Sequence, residues 1–101
     1  IEKVRIPSTT INGEHSYQSF IVFMKNRDLA LTEIRQKGIE VQIGTYSLHL
    51  HKAFNCHPLV RIDGGMTSSL KCYNEALTLP LYSDLAIEEQ QEVVSELKKY
   101  L

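Results

Sequence analysis

Residues 20 to 24, with the sequence FIVFM, form an unbroken run of apolar positions. A strand that is covered on both faces shows such a run, whereas a strand with one wet face alternates polar and apolar positions. We therefore predict a central β-strand over residues 17 to 24. Polar residues 25 to 28 end this strand, and Asn26 or Asp28 can cap a following helix.

A helix and a second strand are predicted next. The apolar residues between positions 29 and 34 recur at helical spacing, and Gly38 follows the last turn, where glycine commonly ends a helix. Residues 39 to 43, IEVQI, alternate strictly between apolar and polar side chains. This alternation predicts a strand with one buried face.

The middle of the chain is irregular until a helix and a third strand follow. Residues 44 to 66 show no period, so we expect a long loop with one short helix near residues 51 to 54. Thr67, Ser68 or Ser69 can then cap a helix. Residues 77 to 81, LTLPL, predict a short strand, and Pro80, which has no N–H to donate, indicates a sheet edge or a strand end.

A closing helix is predicted from about residue 86 to residue 101. Ile87, Val94, Leu97 and Leu101 fall on one face, which we expect to be buried. Glutamates in the first turn and lysines in the last turn match the helix dipole.

The predicted order of elements is β-α-β-loop-α-β-α, without a hairpin. We therefore expect a small α/β or α+β sandwich in which a sheet of about three strands carries the helices. Residues 1 to 14 contain Pro7, Asn12 and Gly13 and predict a connecting arm ahead of a domain over residues 15 to 101. Because the chain starts at Ile1 rather than at a methionine, we expect a piece of a longer protein.

Composition limits the classes of function. The 101 residues are 43% hydrophobic and 23% charged, with a formal net charge of -1, which is ordinary for a globular domain. The chain has no basic stripe and no apolar run long enough to span a bilayer, so we expect neither a nucleic-acid nor a membrane partner. Two cysteines, Cys56 and Cys72, are too few for a disulfide framework, and we expect a cytoplasmic location.

The densest group of polar side chains lies between residues 46 and 57. A metal site would use His49, His51, Cys56 and His57, although their spacing matches no closed zinc pattern. The alternatives are a solvated surface loop and a loop that contacts a ligand, since long irregular segments often carry function. His15, just before the first strand, could point into a cleft or into solvent. The chain has no glycine-rich phosphate loop and no Ser-His-Asp or Cys-His pattern.

Five short phrases of the sequence, taken together in their order and spacing, are more informative than the composition of the chain. From residue 15 to the end, the chain resembles the C-terminal segment of the DegT/DnrJ/EryC1/StrS family of sugar aminotransferases. The phrases are HSYQSF at residues 15 to 20, KGIEV at 37 to 41, LHLHKAF at 48 to 54, LTLPLY at 77 to 82, and EEQ at 88 to 90.

The resemblance implies the small C-terminal domain of a fold type I enzyme that is dimeric and depends on pyridoxal phosphate (PLP). Such enzymes move an amino group, commonly from glutamate, onto a nucleotide-linked keto-sugar for surface polysaccharides or antibiotic sugars. Their PLP is held as a Schiff base by a lysine of the large N-terminal domain. Lys25 follows Ser19 and Phe20 at a spacing one residue longer than the family's, and it ends a predicted strand, so we do not expect it to bind PLP.

The resemblance also indicates which residues contact substrate. Many members place a histidine and an aromatic residue after the second strand, where this chain has Gly44-Thr45-Tyr46, so Tyr46 takes the aromatic role. His49 matches a histidine common in the family, and we expect His15, Tyr46 and His49 to bind substrate. We expect no catalytic, cofactor-binding or metal-binding residue in this chain. A stand-alone binding module of the same fold and the histidine-rich metal domain are the alternatives.

Overall fold

A three-stranded antiparallel sheet organises residues 4 to 101, which are those that the computed structural model describes. The predicted arm over residues 1 to 14 therefore lies partly outside the described residues. In chain order, the elements are β1 (Phe20–Phe23), α1 (Arg27–Gln36), β2 (Gln42–Ile43), a 3-10 turn (Leu48–Leu50), α2 (Thr67–Glu75), β3 (Ala76–Leu79), α3 (Ile87–Leu97) and a final 3-10 turn (Lys98–Tyr100).

The third strand, not the first, is the centre of the sheet. The strand order is β1-β3-β2, with Val22 opposite Leu77 on one side and Gln42 opposite Thr78 on the other. The prediction that the first strand is central was therefore wrong. A run of apolar residues reports that the faces of a strand are covered, but it does not report how many strands pair with it. The outer edge of β1 carries an isolated antiparallel bridge between Phe23 and Arg5 of the arm.

The core lies between the sheet and the helices. Val22 and Met24 from the first strand segment, Ala30 and Ile34 from α1, Val41, Leu77 and Leu97 form one buried cluster. The alternation predicted for residues 39 to 43 is confirmed, because Val41 is buried while its two neighbours are exposed. Pro80 directly follows β3, so the strand-end interpretation of this proline is confirmed.

Helix ends differ from the predicted caps. Asn26 occupies the N-cap position of α1, but its side chain makes no capping hydrogen bond and instead donates to the Tyr100 carbonyl at 3.4 Å. The N-cap position of α2 is Met66, in a left-handed conformation with φ 51°, so the three hydroxyl residues after it lie inside the first turn and do not cap it. Gly38 follows α1 with φ 82°, as predicted.

Two further predictions need correction. The short helical turn lies at Leu48–Leu50, about three residues before its predicted position, and residues 51 to 56 form irregular turns. On α3, Val93 and Leu97 are buried, whereas Ile87 is 67% exposed and Val94 is also exposed. The adjacent valines compete for the buried face, and the one four residues before Leu97 occupies it because positions i and i+4 share a face. None of the helices in the described part of the chain is long and apolar enough to cross a membrane.

Candidate functional site

The segment after β2, residues 44 to 50, leaves the sheet in close contact with β3. The Gly44 N–H donates to the Ala76 carbonyl at 2.9 Å. A Cβ atom on Gly44 would lie 2.7 Å from the Ala76 Cβ and 3.0 Å from the Ile21 Cγ2. Only glycine therefore fits where this segment begins.

Tyr46 presents its ring to solvent beside a second tyrosine. Its side chain is 67% exposed, and the ring centroid lies 6.2 Å from that of Tyr73 with the planes tilted by 35°. Both rings line an open groove of about 400 Å³, together with His51 and Lys52. The prediction that an aromatic side chain at this position faces a cleft is consistent with this placement, and its contact with a substrate stays a prediction.

The next residue, Ser47, is turned inward. It is only 4% exposed, and its Oγ lies 2.9 Å from the Oγ of Ser69 on α2. Consecutive residues of this segment therefore have opposite environments, with Tyr46 outward and Ser47 buried.

His49 lies in the 3-10 turn and is half-buried. Its Nδ1 atom is buried and has no hydrogen-bond partner within residues 4 to 101. The groove beside Tyr46 is lined by other residues and not by His49. The structure thus places Tyr46 and His49 on one segment but in different surroundings, and substrate binding by His49 stays a prediction.

His15 is held next to the start of β1. Its Nδ1 accepts the Tyr17 N–H at 2.9 Å, and its ring stacks on that of Tyr17 at 4.3 Å. β1 and β2 run parallel to each other because both are antiparallel to β3. His15 precedes the start of β1 and Tyr46 follows the end of β2, so the two residues leave the sheet at opposite ends, and their sharing of one cleft stays a prediction.

The histidine-rich loop uses its polar atoms locally. The Nδ1 atoms of His51 and His57 accept the N–H groups two residues further along, each at 3.2 Å, and the Cys56 thiol donates to the Asn55 side chain at 3.3 Å. Over the described range, no three histidine, cysteine, aspartate or glutamate side chains converge in a way that could hold a metal ion. The metal alternative therefore has no ligand set in this part of the chain.

One buried charge was missed from the sequence. Arg27 is 3% exposed, and its Nη1 donates to the Ala76 carbonyl at 2.9 Å while its Nε donates to the Asp28 carboxylate at 2.6 Å. A signal was present, because Arg27 lies three and seven positions before Ala30 and Ile34 and so shares their face of the helix.

The lysines of the described residues do not fit a PLP site. A Schiff-base lysine is activated by desolvation or by a neighbouring cation in an enclosed pocket. All six lie exposed at the surface, namely Lys25, Lys37, Lys52, Lys71, Lys98 and Lys99. No chemical step of this chain is therefore derived through PLP.

Comparison with known proteins identifies the fold. Three similar solved structures are a DegT DnrJ EryC1 StrS aminotransferase from Brucella abortus (TM-score 0.82, 20% identity), S. venezuelae DesV in complex with a ketimine intermediate (0.82, 18%), and Helicobacter pylori PseC, an aminotransferase involved in the biosynthesis of pseudoaminic acid (0.68, 21%). They cover 98%, 97% and 89% of this chain. At these identities the likeness shows a shared fold, and it confirms the predicted three-stranded α+β architecture.

The chain spans about a quarter of those structures, 26%, 26% and 25% of their respective lengths. No curated protein matches it significantly. The profile of the DegT/DnrJ/EryC1/StrS aminotransferase family matches residues 1 to 98, nearly the whole sequence. Together with the fold, this match shows that the chain belongs to the DegT/DnrJ/EryC1/StrS aminotransferase family.

Proposed function

We propose that this chain is the C-terminal small domain of a PLP-dependent sugar aminotransferase. The enzyme transfers an amino group, from glutamate, to a nucleotide-linked keto-sugar used in surface polysaccharides or antibiotic sugars. The observation that carries the proposal is the family match over residues 1 to 98 in a chain that spans only about a quarter of its structural relatives. PseC, an aminotransferase involved in the biosynthesis of pseudoaminic acid, supports a biosynthetic role for the amino transfer.

In this proposal, the rest of the enzyme supplies the cofactor chemistry. PLP provides an electron sink for amino transfer when it is bound. A large N-terminal domain of the same protein holds it, and the enzyme works as a cytoplasmic homodimer. The exposed lysines described above support this division, because none of them has the surroundings of a cofactor lysine.

The contribution of the small domain is substrate contact. Tyr46 presents a hydroxyl and an apolar ring to an open groove, and the adjacent Lys52 and His51 side chains place hydrogen-bond donors on the same groove. A groove of this kind can bind a polar, ring-shaped ligand through stacking and a few hydrogen bonds. His15 and His49 are further candidates for contacts to the nucleotide-sugar.

The test separates the two halves of the transamination in the intact enzyme. Tyr46→Phe and His49→Ala should each lower kcat/KM for the keto-sugar half-reaction by about tenfold, since each removes one buried hydrogen bond to substrate. The glutamate half-reaction should change less. Tyr100→Phe is the matched control, because it removes a tyrosine hydroxyl that hydrogen-bonds Glu33 away from the groove.

Three results would contradict this assignment. Equal damage to both half-reactions points to cofactor positioning rather than to sugar recognition. A lower melting temperature with unchanged kinetics points to a purely structural role. An effect of Tyr100→Phe as large as that of Tyr46→Phe shows that the assay does not report on the groove.

A further inference from the structure

Helix α2 holds two consecutive residues of the segment that carries Tyr46. Ser69 and Tyr73 are four positions apart and so project from one face of the helix. Ser69 lies 2.9 Å from Ser47, oxygen to oxygen, and the Tyr73 ring packs beside that of Tyr46 at 6.2 Å. One helix face therefore fixes both the inward and the outward side chain of the segment.

Arg27 connects this helix face to the start of the same segment. The Ala76 carbonyl accepts two hydrogen bonds of 2.9 Å each, one from the Gly44 N–H and one from the Arg27 Nη1. The Arg27 guanidinium carbon also lies 5.7 Å from the Tyr73 ring centroid, within range of a cation–π contact. Arg27 thus contacts Ala76, which accepts the Gly44 N–H, and Tyr73, which packs beside Tyr46.

The burial of Arg27 is hard to explain by stability alone. Removing a guanidinium from water is costly, and its carboxylate partner, Asp28, is 83% exposed, so the ion pair is screened by solvent. An apolar side chain of similar size would fill the same space without this penalty. A role in fixing the geometry of the segment that binds substrate would explain why Arg27 is buried despite this cost.

We propose that Arg27, Ser69 and Tyr73 are positioning residues that set the Tyr46 ring in the substrate groove. This inference rests on the proposed function, in which Tyr46 contacts the keto-sugar. Tyr46 lies outside the sheet and its ring is mostly exposed, so without its neighbours it would sample several rotamers. Apparent affinity falls in proportion to the fraction of molecules that hold the binding-competent arrangement.

The primary experiment is a double-mutant cycle in the intact enzyme. Tyr73→Leu should raise KM for the keto-sugar by about three- to tenfold with little change in kcat, if the competent fraction drops to between about a third and a tenth. Tyr73→Phe keeps the ring, so its KM should lie closer to that of the unmodified enzyme than the KM of Tyr73→Leu does. In a Tyr46→Leu background, Tyr73→Leu should have no further effect, because its influence passes through Tyr46.

A second measurement, by NMR, tests the position of the Tyr46 ring without an activity assay. Aromatic proton shifts of Tyr46 depend on the neighbouring Tyr73 ring, so Tyr73→Leu should move them in NMR spectra of this chain. Ser69→Ala should also move them, whereas Ser68→Ala should not, since Ser68 is an exposed neighbour on the same helix. Arg27→Lys, which retains the charge but not the fork of donors, should shift the Gly44 amide resonance.

The outcomes distinguish this inference from the proposed function. If Tyr46→Leu leaves the sugar half-reaction intact, Tyr46 does not bind substrate. The substrate contact assigned to Tyr46 in the proposed function then falls, and the positioning role falls with it. If Tyr46→Leu damages it but Tyr73→Leu does not, the proposed function stands and the positioning role is overturned. Additive effects of Tyr46→Leu and Tyr73→Leu on KM likewise overturn the positioning role. The same holds if the Tyr46 resonances do not move in Tyr73→Leu.

Discussion

Gly44 begins the segment that carries Tyr46, and its backbone lies in close contact with the central strand β3. A methyl group there would lie 2.7 Å from the Ala76 Cβ and 3.1 Å from the Ala76 carbonyl carbon. These atoms cannot move away by a change of rotamer, because they belong to the central strand. We expect Gly44→Ala to lower the free energy of unfolding by about 1 to 3 kcal/mol through overpacking, as measured by urea denaturation.

Gly65→Ala is the matched control for this substitution. A Cβ at Gly65 would meet its nearest neighbour, the Thr67 Oγ1, at 3.4 Å, an ordinary contact distance. Its unfolding free energy should therefore stay close to that of the unmodified chain. Equal losses at Gly44 and Gly65 would show that the close approach to Ala76 is not the cause.

A second prediction at this scale concerns the exposed lysines. Because each of the six lysines in residues 4 to 101 is solvated, we expect none of them to form a stable Schiff base with PLP. Borohydride reduction after incubation with PLP, followed by mass spectrometry, should reveal only low, scattered labelling. A stoichiometric adduct on one lysine, with the absorbance of the imine before reduction, would contradict this expectation.

The sequence identified some residues of the candidate site and not others. The resemblance to the family predicts a role for Tyr46, which lies between two of the five phrases, because many members place an aromatic residue there. They do not reveal that Tyr73 packs beside it, since the two residues belong to elements 27 positions apart and only the tertiary fold brings them together. Arg27 was overlooked because an arginine next to Asn26 and Asp28 resembles part of a solvated turn.

At the level of elements, local patterns predicted where helices and strands lie better than how they are arranged. The alternation of residues 39 to 43 matches which side chains are buried, as does the α1 stripe at Ala30 and Ile34. Leu29, which the predicted stripe also included, is 53% exposed. The central place of β3 depends on pairing between distant segments, which no local period encodes. The face of α3 was misjudged because Val93 and Val94 are adjacent and only contacts with α1 and the sheet select one of them.

A hydrogen bond joins the last 3-10 turn to α1, and this hydrogen bond depends on pH. Tyr100 donates from its hydroxyl to the Glu33 carboxylate at 2.9 Å. Partial burial, together with the hydrogen bond to Glu33 and the nearby negative charges of Glu33 and Glu96, raises the pKa of Tyr100 above 10.0. The protonated phenol is therefore favoured in the folded state.

This shift predicts a loss of stability at alkaline pH. A raised pKa in the folded state stabilises the fold below the ordinary pKa of tyrosine, about 10, and the stabilisation is lost as the pH rises through the higher folded value. Thermal unfolding followed between pH 8 and pH 12 should show a steeper alkaline decline for the unmodified chain than for Tyr100→Phe. Identical slopes would show that the Tyr100 hydroxyl does not contribute. The pKa of Tyr82 is also raised, and because Tyr82 is present in both proteins, its contribution to the two slopes is the same.

On the scale of the whole molecule, several large apolar side chains are exposed close to one another. Leu81, Tyr82 and Val94 are exposed along one groove, and Ile87 extends this surface along α3. Ile11 in the arm is 94% exposed. Contiguous exposed apolar surface of this kind usually marks a contact with another domain or chain.

We therefore expect the isolated chain to self-associate as its concentration rises. Light scattering over a hundredfold range of concentration should show an increasing mean mass. Val94→Glu should reduce the increase, whereas Glu92→Gln, on an exposed part of the same helix, should not. A constant monomer mass at every concentration would contradict the prediction.

The strand order β1-β3-β2 also governs the timing of folding during synthesis. Both outer strands hydrogen-bond to β3, whose residues Ala76–Leu79 leave the ribosome more than 50 residues after the end of β1 at Phe23. Until then, the apolar segment FIVF has no strand to pair with, and non-local pairing of this kind is slow. The nascent chain therefore exposes an aggregation-prone strand for several seconds at ordinary translation rates of about 5 to 20 residues per second. A binding partner for that strand, such as a chaperone, would act in the interval before β3 emerges.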